Sequence, residues 1–194
     1  MTKRLNSEAA LAELISGNKR YVIAKQLHSN LTSERRAELK DGQSPIAIIL
    51  GCSDSRVPPE LIFDQGLGDL FVVRVAGNIL DDVVLGSIEY AASHLRTSLV
   101  MILGHSRCGA IEAAAARGSM GGHLPCLTEA IQPSLDEVKD KPGNLINNAA
   151  KANAKIIGQK LLSEPILAAR ANAGKLSVVA AFYDLDTGVI EVIS

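Results

Sequence analysis

The chain has 194 residues, enough to bury a substantial core. Basic and acidic residues balance, 20 against 21 for a formal net charge of -1, and no block of like charge stands out; this argues against a nucleic-acid or anionic-membrane partner. Tryptophan is absent and aromatics make up 3%, so the core is expected to be aliphatic, and platforms for stacking single-stranded bases are few.

The N-terminus reads MTKRLNSEAALAELI. Its basic pair is followed by no apolar run of signal-peptide type, because Glu8 and Glu13 interrupt, and no stretch approaches the length of a membrane span. The three cysteines, Cys52, Cys108 and Cys126, are too few and too odd in number for a disulfide framework. The sequence therefore reads as a cytoplasmic protein whose thiols are free to bind metal.

Residues 7–27 carry apolar positions at helical spacing (Ala10, Leu11, Leu14, Ile15, then Tyr21 and Val22) around an interruption at Gly17 and Asn18. Residues 32–40 predict a second short helix starting at Thr32. Together these form a polar leader, residues 1–40, readable as an arm across a partner subunit or as a cap on its own core. Pro45–Leu50, ending in Gly51, is a short continuous apolar run of the kind that forms a strand buried on both faces of a parallel sheet. Leu70–Val75 is a second such run, Leu99–Leu103 ending in Gly104 a third, and Ser177–Tyr183 a fourth. Val189–Ile193 follows the turn Asp186-Thr187-Gly188 and reads as a hairpin partner of the fourth. Helices are expected between them over 81–95, 108–117, 125–139 and 144–173, with Lys141-Pro142-Gly143 as a break. The alternation defines an α/β fold: a mainly parallel central sheet of four strands with an antiparallel C-terminal edge strand, flanked by helices, behind an N-terminal helical arm. A single domain over 1–194 is expected, with the arm at 1–40 and the α/β core at 45–194.

Ligands in such sheets gather beyond the carboxyl ends of the strands. The first strand is followed by CSDSR, which places Cys52, Asp54 and Arg56 in the next loop. The third runs into GHSRCG, which places His105 and Cys108 in a loop and at the start of a helix. Two thiols and an imidazole select a borderline-soft metal, zinc by default. Cys52, Asp54, His105 and Cys108 together are enough to close a tetrahedral site, as in a structural zinc. Alternatively Arg56, two residues beyond Asp54, binds the carboxylate bidentately and holds it off the metal, keeping one position for water. The residues by themselves leave both arrangements open.

CSDSR followed by GHSRCG resembles the β-class carbonic anhydrases. The resemblance runs on through PPELIFDQGLGDLFVVRVAGN and SIEYA, covering residues 43–112, and the YDLDTG turn near the C-terminus fits it too. It implies one Zn2+ per chain with Cys52, His105 and Cys108 as protein ligands, and Asp54 with Arg56 as the catalytic dyad. Gln43, Phe71 and Tyr90 match positions lining the carbon dioxide pocket in the plant-like branch: Gln43 as a hydrogen-bond donor to substrate, Phe71 and Tyr90 as apolar walls across a subunit interface. The other branch has a tryptophan three residues before the first cysteine, where this chain has Ile49. Val75 departs from the family pattern, many members having asparagine there. The family assembles as homodimers or homotetramers, with N-terminal helices embracing the neighbour.

The expected activity is reversible hydration of carbon dioxide to bicarbonate by hydroxide activated on zinc. Two rivals share the motifs: a hydrolase of carbon disulfide or carbonyl sulfide on the same fold, and a non-catalytic zinc scaffold with Asp54 as fourth ligand. His123 and Cys126 imitate a metal half-site in a glycine-rich loop, with no second half to complete it. His28 and His94 are read as surface residues, and Gly77 with Asn78 as a turn after the second strand.

Overall fold

A computed structural model describes residues 4–116, 118 and 121–193. Arg117, the last residue of the helix predicted over 108–117, lies outside the described residues.

Five strands form one sheet: β1 (Ala47–Gly51), β2 (Leu70–Arg74), β3 (Leu99–His105), β4 (Ser177–Tyr183) and β5 (Ile190–Val192), in the order β2-β1-β3-β4-β5. The first four are parallel, and β5 returns antiparallel to β4. The central strands β1 and β3 are buried at every residue, as their unbroken apolar sequences require. The alternation of side chains divides the core in two. Ala47 and Ile49 face a cluster that includes Leu14, Phe63, Ile131 and Leu135; Ile48 and Leu50 face one that includes Ile88, Ile157 and Leu167.

Among the described residues, eight α-helices surround the sheet: α1 (Ser7–Val22), α2 (Ser33–Glu38), α3 (Pro59–Ile62), α4 (Asp82–Ser93), α5 (Gly109–Ala115), α6 (Leu124–Val138), α7 (Leu145–Ser163) and α8 (Pro165–Asn172). Side-chain caps start four of them: Asn6, Thr32, Asp81 and Asn144 each accept an amide of the first turn. Leu14 and Ala10 of α1 are buried in the chain's own core, so this part of the leader caps its own sheet.

The structure departs from the sequence reading at four places. Gly17 and Asn18 do not interrupt α1. Asn18 is instead buried, donating to the carbonyls of Ile62 at 3.3 Å and Gly188 at 2.9 Å and accepting the Ile190 amide at 2.9 Å. The helix predicted over 144–173 is two helices, because Glu164, preceding Pro165, is forced into extended backbone (φ -75°, ψ 130°) and the proline opens α8. β2 is an edge strand and only partly buried, whereas its apolar run predicts burial on both faces. β3 does not stop at Gly104 but runs on to His105. The glycine is there because a Cβ would stand 2.8 Å from the Ala150 carbonyl oxygen of α7.

Candidate metal centre

Strand order reverses between β1 and β3: β1 leads outward to β2 on one side and has β3 on the other. A crevice at such a switch point opens at the carboxyl ends of the two strands. Cys52 directly follows β1, His105 is the last residue of β3 rather than a loop residue, and Cys108 caps α5. Among the described residues these three form a group whose ligand atoms all lie within 4.8 Å of one another. All three are buried, His105 completely.

The imidazole is oriented by its neighbour. Nδ1 lies 2.9 Å from the Ser106 carbonyl, which can only accept, so Nδ1 carries the proton and Nε2 presents a bare lone pair. That Nε2 is buried and has no hydrogen-bond partner among the described residues. A buried acceptor left bare beside two thiols is costly as pure structure and is what a metal ligand requires. The thiols fit the same reading. The neighbouring Cys108 thiol lowers the pKa of Cys52, and the Cys52 sulfur together with burial raises that of Cys108. A bound divalent cation ionises both. The donor set of two sulfurs and one nitrogen fits zinc.

Asp54 stands beside this trio, one oxygen 3.9 Å from His105 Nε2. Its Oδ1 accepts the Arg56 backbone amide and Nε, both at 2.9 Å, and its Oδ2 accepts Arg56 Nη2 at 2.6 Å. The Arg56 guanidinium holds this carboxyl down to about 2. Arg56 Nη2 also donates to the Arg107 carbonyl at 3.0 Å, which ties the loop after β1 to the loop after β3. The YDLDTG turn backs the second loop: the Leu185 amide donates to Ser106 Oγ at 2.8 Å, and Arg107 pairs with Asp186.

Gln43 is not brought to this centre within the chain. It precedes β1 and lines a cavity of about 360 Å³ with Arg4, Arg35, Glu38 and Leu39, at the end of the strand opposite Cys52. Phe71 and Tyr90 meet each other, ring centroids 6.2 Å apart, but Phe71 packs with the cluster on the sheet face opposite to that of Cys52 and Cys108. His28 and His94 are exposed as expected, and His94 stacks on Tyr90. Cys126 is exposed and donates to the His123 carbonyl, a local contact at a helix start. Gly77 and Asn78 form the expected turn, as part of a single 3-10 turn over Ala76–Asn78.

Two contributors escaped the sequence reading. Arg74 donates to the carbonyls of Cys52 at 2.9 Å and Asp54 at 2.5 Å, and so clamps the ligand loop from β2. Its signal was a lone charge inside the apolar run LFVVRV. Asn153 donates to the Gly77 carbonyl at 2.9 Å from within α7, and its signal was a polar residue at a buried helical position.

The model of the carbonic anhydrase family matches residues 47–190. Carbonic anhydrase 2 of Mycobacterium tuberculosis is 39% identical over 188 residues, spanning 94% of this chain and 91% of that protein. The carbonic anhydrase of Mycolicibacterium smegmatis is 37% identical over 198 residues, spanning 96% and 93%. Among solved structures, a tetrameric β-carbonic anhydrase of Sordaria macrospora superposes with TM-score 0.76 at 26% identity, covering 96% of this chain and 98% of that one. The β-carbonic anhydrase CafA of Aspergillus fumigatus gives 0.77 at 28%, covering 96% and 90%. A five-stranded sheet with a thiol–imidazole–thiol centre at its switch point, matched over this span, defines the class. The chain belongs to the carbonic anhydrase family, within its β class.

Proposed function

We propose that this chain catalyses the reversible hydration of carbon dioxide to bicarbonate and a proton, with one zinc ion per chain held by Cys52, His105 and Cys108. The observation that carries the reading is the bare, buried Nε2 of His105 facing two thiols, with a carboxylate held next to it by an arginine. Zinc, when bound, supplies a Lewis acid that brings the pKa of water to about 7.

The chain's own residues do the rest. Ser106 fixes the His105 ring and its tautomer through Nδ1. Asp54 is ionised throughout the working pH range, so it accepts a hydrogen bond from the attacking oxygen and sets that oxygen's orientation without itself becoming protonated. Arg56 engages both oxygens of Asp54 and keeps the carboxylate from becoming a fourth ligand. Its guanidinium, half exposed, also favours an anionic product at the mouth of the site.

This open arrangement, with Ile49 in place of a tryptophan, supports assignment to the plant-like branch. Gln43, Phe71 and Tyr90 are assigned to substrate binding on a neighbouring copy's site, since their own chain keeps them away from its metal centre. The assembly is then a homodimer or homotetramer, and the tetrameric Sordaria macrospora relative supports it. No helix among the described residues is long and apolar enough to cross a membrane. Three free cysteines, two of them needed reduced at the site, support a cytoplasmic location.

The test is stopped-flow carbon dioxide hydration between about pH 6.5 and 9, with zinc measured on the same sample. Zinc-dependent hydration that persists near neutral pH is the expected result. A full complement of zinc with no hydration, and turnover of carbon disulfide instead, overturns it.

A further inference from the structure

The metal centre has a support that ends on a residue outside the family motifs, Asn153 of α7. The Gly77 amide donates to Cys52 Sγ at 3.3 Å. Gly77 sits in left-handed backbone, φ 69° and ψ 14°, inside the turn after β2. Its other peptide group is anchored separately: the Gly77 carbonyl accepts Nδ2 of Asn153 at 2.9 Å. The two peptide planes flanking one Cα are therefore tied in opposite directions, one to the metal ligand and one to α7. The turn leaves no room for a side chain, since a Cβ on Gly77 would stand 2.8 Å from Ile131 Cδ1 and 3.2 Å from Ala110 Cβ.

Asn153 is 2% exposed, in a buried stretch of α7 that also contains Ala149, Ala150, Ala152 and Ala154. An amide side chain in such a place must have a partner, and this one reaches 76 residues back to the turn. The partner chosen is the peptide group adjacent to the one that bonds the thiolate.

We infer that Asn153 is a positioning residue: by pinning the Gly77 carbonyl it aims the Gly77 amide at Cys52 and so sets how much charge that thiolate donates to the metal. A sulfur that accepts an N–H is a weaker donor than a bare one, and hydrogen bonds to ligating sulfurs are a recognised means of tuning a metal centre. With two thiolates in the set, the centre is electron-rich, and one such bond partly offsets it. The inference rests on the zinc reading given above.

The test uses the full chain with Co2+ in place of zinc, which reports donor strength directly. Asn153→Asp keeps the shape and loses the donor. The thiolate-to-cobalt charge-transfer band is expected to move to lower energy while the d–d bands, which report ligand set and geometry, stay in place. Zinc affinity by chelator competition is expected to fall roughly tenfold or more despite the stronger donor, because the ligand turn is no longer held in place for the metal, as for other outer-shell partners of metal ligands. Should a buried carboxylate prevent folding, Asn153→Ala lacks the donor equally and sits among alanines that already suit this helix. A folded variant of either kind with the wild-type charge-transfer energy overturns the inference. Wild-type protein that binds Co2+ without any thiolate charge transfer overturns the metal-centre reading itself, so the two failures are distinct.

Discussion

Two arginine–carboxylate clusters in this molecule differ in what they leave unsatisfied. On the loop between α3 and β2, Asp64 accepts Arg20 Nε at 2.6 Å and the amides of Leu27 and His28 at 2.9 and 3.1 Å. Nearby Asp69 accepts Asn30 at 2.8 and 3.0 Å and the Gly66 amide at 2.9 Å, with Arg35 at 3.5 Å. Both carboxylates are buried and saturated, and they staple the segment after α1 to the core. At the carboxyl end of β1, Asp54 is also held by an arginine, but it lies beside a buried ring nitrogen with no partner and two thiols. The chemistry of the pair is the same in both places. A saturated cluster stabilises the fold, whereas one that keeps a bare buried donor atom in reach is arranged for a ligand.

The sharpest way to break this contrast is to remove a member of the metal group. Cys108→Ser is expected to lose zinc and with it all measurable hydration, while the sheet remains folded by circular dichroism; metal analysis alongside stopped-flow assay checks it. Retained zinc and activity would place Cys108 with the ordinary buried cysteines.

Next in size is the carboxylate at the centre. Asp54→Asn is expected to lower kcat by about 10²–10³-fold, the usual worth of one preorganised hydrogen-bonding group, with zinc content unchanged. An unchanged kcat would make Asp54 a structural staple like Asp64. Arg56→Lys is expected to lower kcat too, since an ammonium cannot hold both oxygens of the carboxylate.

The stapling cluster is expected to respond in the opposite currency. Asp64→Ala should cost about 3 kcal/mol of stability by leaving Arg20 and two amides without their acceptor, read from the urea midpoint. The kcat of the folded fraction should change little, because Asp64 touches nothing at the metal centre.

The smallest effect is a pH dependence. Burial alone would raise the Asp64 carboxyl, but the Leu27 amide, the Arg20 guanidinium and the His28 amide together hold it below its usual value. A carboxyl depressed in the folded state contributes stability that is present above its unfolded pKa, about 3.9, and is lost as pH falls through the lower folded value. The difference in urea midpoint between wild type and Asp64→Asn should therefore be constant at neutral pH and shrink below about pH 4. A difference that holds into acid would show that the staple acts through shape rather than charge.

The amino-acid sequence by itself determined the strands, since β1, β3 and β4 are continuous apolar runs whose period and composition admit few other structures, and it placed Cys52 directly after a strand and Cys108 at the start of a helix. It determined the donor chemistry as well, because thiol and imidazole spacing is a local property. What only the tertiary structure decided is everything that depends on which residues of distant segments meet. The order β2-β1-β3 brings Cys52 beside His105, while Gln43 lies at the opposite end of β1 and lines a separate cavity. Arg74 reaches the ligand loop from 20 residues away and Asn153 reaches the turn after β2 from 76, and their roles follow from contacts that no local pattern encodes. Likewise Gly104 reads as a strand end in sequence and is a close approach of α7 in space. The physical reason is one of range: backbone preference and burial period act over a few residues, whereas the bare nitrogen of His105 and the saturation of Asp64 exist only once the sheet has closed.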